Sequence, residues 1–259
     1  GSGTITLSAV AAGGGGTAGG SVTLGGLVTT NATGSAVAIS TDAAVIDGGN
    51  TAVDIVANND GAVVTIDAKT GVGSGNALET AVAAIDVDNT TSGNIQILES
   101  DAITVLQLDN DTADDGAGAT GSITLDTTDG TITVEDAGAA PAGVGVTAID
   151  GNITLNANGT DSDLVVENVI QTSNPGDNAV GGVTIALSAD DSVTFTAAGD
   201  VTGTGNVTVT VTSNAQTTTT AGNGGDVIFM ADSGTDSAVI DAGSGTITLS
   251  AVAAGGGGT

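Results

Sequence analysis

Apolar and polar residues alternate along most of this chain in short runs. TITLSAV starts at position 4, SVTLGGLV at 21, AVVTIDA at 62, AAIDVDN at 83, AITVLQLDN at 102, GSITLD at 121 and GNITLNA at 151. GVTIALS follows at 182, GNVTVTVT at 205, DVIFMAD at 226 and GTITLSAV at 245, with GTITVEDA at 130, DLVVENVI at 163 and DSVTFTA at 191 between them. A period of two marks a strand with one buried face, and Val, Ile and Thr suit such a strand. Gly, Asn and Asp separate nearly every run, as turns require. No segment carries a 3.6-residue period bounded by helix caps, so no substantial helix is expected.

Many runs begin about 20 residues apart, at 62, 83, 102 and 121 and again at 205, 226 and 245. Two all-β architectures fit short strands so regularly placed: stacked antiparallel sandwiches, or one parallel β-solenoid. Sandwich domains carry bulky core aromatics and divide into units of roughly 100 residues. Here aromatics are 1% of the chain, Trp and Tyr are absent, and no linker interrupts the pattern. The expectation is therefore an all-β parallel β-helix with about 20 residues per coil and about 12 coils stacked at ~4.8 Å. In NVTVTV, Val207, Val209 and Val211 should point inward while Thr208 and Thr210 face solvent. Phe195 and Phe229 should be the widest interior fillings.

A second period lies above the first. GSGTITLSAVAAGGGGT occupies positions 1–17 and occurs again, letter for letter, at 243–259. Self-similarity at a fixed period is the mark of a repeat array. Residues 1–242 read as one solenoid unit and 243–259 as the start of the next identical unit.

Stretches such as GSGTITLSA, DGNITLNANG, GDVTGTGNVTVTV and GGDVIFMADSG resemble the degenerate coils of filamentous-haemagglutinin-like surface proteins. Similar sequences occur in bacterial giant adhesins and in S-layer or β-strand-repeat proteins. The resemblance implies a right-handed parallel β-helix exported to the cell surface.

Charge narrows the function. Lys69 is the single cation against 30 acids, for a net charge of −29. Binding to nucleic acid or to an anionic membrane surface needs clustered Lys or Arg, so both are excluded. No apolar run is long enough to span a bilayer, so no membrane insertion is expected. Cysteine and histidine are absent, which removes disulfides and thiolate metal sites. Carboxylates and Lys69 are then the only acid–base groups. The adjacent Asp190 and Asp191 sit between two runs, where a solvated turn accounts for them, and neither an enzyme nor a small-molecule substrate is expected. AAGGGGTAGG (11–20) and GVGSG (71–75) lack the Lys-Ser/Thr of a phosphate loop and read as turns.

Calcium is the one chemical candidate; no cofactor is otherwise required. DNDTADDG brings Asp109, Asp111, Asp114 and Asp115 together with Asn110, and hard cations choose such oxygens. The EF-hand spacing is not met, since Ala113 and Gly116 fall out of place, so a solvated acidic turn and a cation site both stand. Asn-x-Ser/Thr triplets occur at Asn31, Asn89, Asn110, Asn152, Asn158 and Asn206.

The function expected is structural: a repeat of a long extracellular fibre or surface layer at the cell surface. Its partners would be further copies of itself, end to end and laterally. The rival is the rod-like stalk of a giant adhesin. The coils are expected to bulge at 67–80, 109–121, 171–181 and 212–224, and lateral contacts of a fibre to use at least two of these four.

Overall fold

In a computed structural model, described for residues 1–11, 19–49, 51–110, 121–135, 145–173, 183–213, 225–230 and 237–253, the alternating runs become strands that coil in sequence order. The first coil contributes β1 (Ile5–Ala9), β2 (Val22–Leu24) and β3 (Leu27–Val28), and the second β4 (Val37–Thr41), β5 (Val45–Asp47) and β6 (Ile55–Ala57). The third has β7 (Val63–Ala68) and β8 (Leu78–Val82), the fourth β9 (Ala84–Asn89) and β10 (Ile95–Glu99), and the fifth β11 (Ile103–Asn110) and β12 (Ile123–Thr127). The sixth holds β13 (Ile132–Val134), β14 (Val146–Ile149) and β15 (Ile153–Ala157). The seventh holds β16 (Leu164–Val166), β17 (Ile170–Ser173) and β18 (Ile185–Ala189). The eighth is β19 (Val193–Phe195), β20 (Val201–Thr202) and β21 (Val207–Ser213), and the ninth β22 (Val227–Phe229), β23 (Ile240–Asp241) and β24 (Ile247–Ala253). Every pairing is parallel, and no helix occurs among the described residues.

One ladder runs β1-β4-β7-β9-β11-β13-β16-β19-β22 and a second runs β24-β21-β18-β15-β12-β10-β8-β6-β3. A third face changes character halfway along. In the early coils it is β2 on β5, continued by bridges from Val45 to Val72 and from Val72 to Ile95. In the later coils it is β14-β17-β20-β23, which grows from the C-terminal half of β11. This is the parallel β-helix anticipated from the alternation.

The coils number nine among the described residues, and most are longer than expected. The expected length holds in the middle, where Val64 pairs with Ile85 and Ile85 in turn with Val105. Toward either end the coils widen, so that Ile5 pairs with Val37 and Phe195 with Phe229. Part of the extra length forms the strands of the third face, and fewer coils fill the same chain than the expected dozen.

The interior is a set of stacked aliphatic rows. Ile95, Ile123, Ile153, Ile185 and Val207 lie directly above one another, all fully buried, with Leu125, Leu155 and Leu187 in the adjoining row. Parallel in-register stacking places like on like, so one residue size per row keeps the coil diameter constant. Phe195 is fully buried and Phe229 stacks on it, ring centroids 5.0 Å apart, but Phe229 stays 45% exposed because it belongs to the last coil.

The glycine two residues before an inward Ile has a mechanical reason. A Cβ on Gly151 would lie 1.9 Å from the Gly121 carbonyl oxygen, and one on Gly245 2.2 Å from that of Gly205. Backbone stacks on backbone there, which only glycine allows. Asn at the next position, before Ile153 and before Val207, ties coil to coil: Asn152 Oδ1 accepts the Thr184 N–H at 2.8 Å, and Asn206 Oδ1 accepts the Thr246 N–H at 2.9 Å. Gly151→Ala should therefore cost about 1–3 kcal/mol through forced separation of two coils; urea unfolding would measure it, and an unchanged midpoint would refute this account.

Three of the six Asn-x-Ser/Thr asparagines are buried. Asn89 and Asn110 are fully buried at one corner, where Asn89 Nδ2 donates to Asn110 Oδ1 at 2.8 Å and Asn110 Nδ2 to the Ser122 carbonyl. Asn31 is buried too, and donates to the Ser35 carbonyl. Asn152, Asn158 and Asn206 are exposed. Within residues 67–80, Val72 is fully buried and bridges both neighbouring coils, while Lys69, Thr70 and 74–76 are exposed. The other three expected bulges lie mostly outside the described residues.

The two copies of the seventeen-residue stretch occupy different faces. β1 opens the thirteen-stranded sheet, whereas β24, the same sequence, closes the nine-stranded sheet on β21. Ile247, Leu249 and Ala251 pair with Val207, Val209 and Val211, while their counterparts Ile5, Leu7 and Ala9 pair with Val37, Ile39 and Thr41.

Candidate metal centre

Alternation along a strand decides which side chains enter the coil, and it sends some acids inward. In β5, Val45 and Asp47 point in and Ile46 points out. Asp54 directly precedes β6; its N–H donates to the Glu79 carbonyl at 2.8 Å, and its own carbonyl accepts the Leu27 N–H. Asp54 therefore stacks on Glu79, the second residue of β8, and Asp47 reaches the same corner from the preceding strand. One oxygen from each of the three carboxylates lies within 4.8 Å of the others.

Burial makes this cluster unusual. Asp54 is fully buried and Asp47 is 5% exposed, while Glu79 is half-buried. Neither oxygen of Asp54 meets an N–H or O–H donor, nor do Asp47 Oδ1 and Glu79 Oε2. Asp47 Oδ2 accepts the Asn76 side-chain amide. Burial pushes the Asp54 carboxyl up to about 6, helped by the negative charges of Asp47 and Glu79. The only side-chain cation, Lys69, is engaged elsewhere, with its Nζ 2.5 Å from Asp42 Oδ1.

A second inward acid is Glu99, the third inward position of β10 after Ile95 and Ile97. It is fully buried but well supplied with donors: the Thr80 hydroxyl at 2.7 Å, and the N–H groups of Val82 and Ser100. Burial, reinforced by neighbouring Asp101, pushes its carboxyl up to about 8.

Asp109 lies in β11, in register with Asp88 on one side and Thr147 on the other, and accepts a long bond from Gln107 Nε2. Asp111, Asp114 and Asp115 lie outside the described residues. Asp67, Asp88 and Asp109 form a vertical row of three acids on consecutive coils. Beside it, burial and then the charges of Asp67 and Asp88 raise the Asp86 carboxyl. Asp190 and Asp191 sit in a turn, where Asp190 Oδ2 accepts the Gly159 N–H of the coil below.

Asp47, Asp54 and Glu79 are separated by stretches with no motif, so no local pattern announces them. The one available signal was an acid at an inward parity position, as in VID at 45–47. Comparison with protein-family models, with curated proteins and with solved structures finds no match.

Proposed function

We propose that this chain is a structural unit of a tandem β-solenoid fibre or surface layer, built from copies of itself placed end to end. The observation that carries this reading is the pairing of β24 with β21. β24 has the sequence of β1, so its pairing on β21 supports reading it as the start of a following unit set on this one, with Ile247, Leu249 and Ala251 as the counterparts of Ile5, Leu7 and Ala9. The next unit continues the wall with no change of register.

Two further features favour stacking. The last coil leaves its inward-facing Phe229, Ile247 and Leu249 nearly half exposed on an open end, where Phe195 and Val207, one coil back, are fully buried. An uncovered coil is also a row of unpaired strand groups that another coil can satisfy. The first 41 residues contain no ionisable side chain, so the incoming coil brings no charge to the joint. Elsewhere 30 acids would oppose contact, and a neutral first coil removes that repulsion where units meet.

The joint also sets the geometry of the fibre. Eight full turns lead from β1 to β22, and β24 lies two faces further on. One unit is then eight and two-thirds coils, about 42 Å at ~4.8 Å per coil. Each unit would be turned by two of the three faces, so lateral features return to the same side every third unit, about 125 Å at that spacing. Helical reconstruction of the native assembly should give this rise per unit. Isolated rods carrying a distinct head would favour the adhesin stalk instead, and a globular particle of fixed size would overturn both readings.

A further inference from the structure

We propose that Asp47, Asp54 and Glu79 hold a divalent cation of the calcium class at the corner joining the second and third coils. The inference does not depend on the fibre reading, since it concerns a site within one chain.

Three observations meet there. The first is composition: every donor is a carboxylate oxygen, the ligand set of a hard cation, with no nitrogen or sulfur to favour a transition metal. The second is spacing. Bonds of about 2.3–2.6 Å let one calcium ion bridge oxygens up to about 5 Å apart, and the three carboxylates offer one oxygen each within 4.8 Å of one another. The third is that the oxygens are buried and unanswered. Four of the six, both from Asp54 among them, meet no donor.

Buried charge without a partner is strongly disfavoured. A proton shared between Asp54 and Glu79 would answer one oxygen of each and still leave Asp47 Oδ1 and the second Asp54 oxygen unmet. Lys69 cannot help, because it is committed to Asp42. A divalent cation would meet one oxygen of each carboxylate at once and offset two of the negative charges. Glu79, the most accessible of the three, stands toward solvent, where water can complete the six to eight oxygens calcium takes. Asn76 holds the remaining oxygen of Asp47 and so fixes the orientation of that carboxylate, as outer partners of metal ligands do.

The other acid groupings differ. The row Asp67, Asp88 and Asp109 lies on the outer side of the wall, with Asp67 exposed. Asp163, another raised carboxyl, accepts the Ser192 N–H at 3.0 Å.

The experiment is calorimetric titration of the whole chain with calcium chloride, at fixed ionic strength and with magnesium as comparison. It is paired with thermal melts in calcium and in chelator. Wild type should show one saturable site of higher affinity than any outer-surface binding. Asp54→Asn and, separately, Glu79→Gln should each weaken that site at least tenfold. Asp67→Asn, which removes one charge from the outer row, should leave it unchanged. In chelator Asp54→Asn should melt no lower than wild type, since it removes a buried repulsion, whereas in calcium it should melt lower. That reversal of order separates a ligand from a merely structural residue. If Asp54→Asn fails to fold, Glu79→Gln decides alone. The proposal is overturned by the absence of a saturable site, by wild-type affinity in the inner-cluster variant, or by equal loss in Asp67→Asn.

Discussion

The protein should lose thermal stability steadily between about pH 4.5 and pH 8, and Glu99→Gln should remove most of that loss. Glu99 lies fully buried inside the coil, with its carboxyl pushed from 4.5 up to about 8. Below pH 4.5 the group is protonated both folded and unfolded. As pH rises, the unfolded chain releases the proton first while the folded chain retains it, so folding becomes progressively less favourable until about pH 8. A folded-state value raised this far corresponds to a few kcal/mol across the window. At roughly 2–4 °C per kcal/mol for a chain of this size, the melting temperature should fall by on the order of 10 °C. Gln keeps the acceptor for the Ser100 N–H and cannot ionise. The diagnostic quantity is the slope of melting temperature against pH, in chelator. A variant that loses as much between pH 5 and pH 8.5 as wild type would mean that another group carries the effect.

Much of the fold was legible because a solenoid translates sequence period into structure directly. The inward rows through Ile123, Ile153 and Ile185 are the alternation of GSITLD, GNITLNA and GVTIALS stacked in register. The coil length was harder to read, for a specific reason. Runs beginning at 62, 83 and 102 belong to one face, β7, β9 and β11, and their spacing is the coil. Runs beginning at 205, 226 and 245 belong to different ladders, β21 and β24 to one and β22 to another. Each step between them covers only part of a coil, and the full turn there runs from Val207 to Ile247. Strand pattern does not reveal which face a run occupies; only pairing does.

The inward acids were missed for a related reason. Glu99 stands at the same parity as Ile95 and Ile97, so alternation alone placed it inside. Its charge points the other way, so alternation and residue type conflict at this position. Asp54 and Glu79 lie on successive coils and meet only because β6 lies on β8. Dense local acid clusters such as DNDTADDG draw notice, whereas a cluster assembled by stacking leaves no trace in any single window.

The largest effect of all should appear at the joint. A chain ending at residue 242 would lack β24 and leave β21 uncovered along seven paired positions, Val207 to Ser213. Its open end would then present β21, β22 and β23, and the first coil of another copy presents β1, β2 and β3. Placing β1 on β21 brings Ile5, Leu7 and Ala9 against Val207, Val209 and Val211, the pairing β24 already makes. In the 259-residue chain β24 occupies that edge, and an arriving copy would have to set β1 on a strand of its own sequence, out of the array's order. The shorter chain should therefore elongate into filaments at concentrations where the full one remains dispersed. Net repulsion works against this, since −29 over about 42 Å exceeds the roughly one charge per 1.7 Å of duplex DNA. Elongation should accordingly quicken with salt as the Debye length shrinks from about 10 Å at 0.1 M toward 3 Å at 1 M. Light scattering and negative-stain microscopy of the two chains, side by side across salt, would measure it. Filaments should show a rise per unit of eight and two-thirds coils, about 42 Å at ~4.8 Å per coil. Equal behaviour of the two chains would show that β21 is not the docking edge, and a monodisperse shorter chain at high salt would remove end-to-end stacking as the basis of assembly.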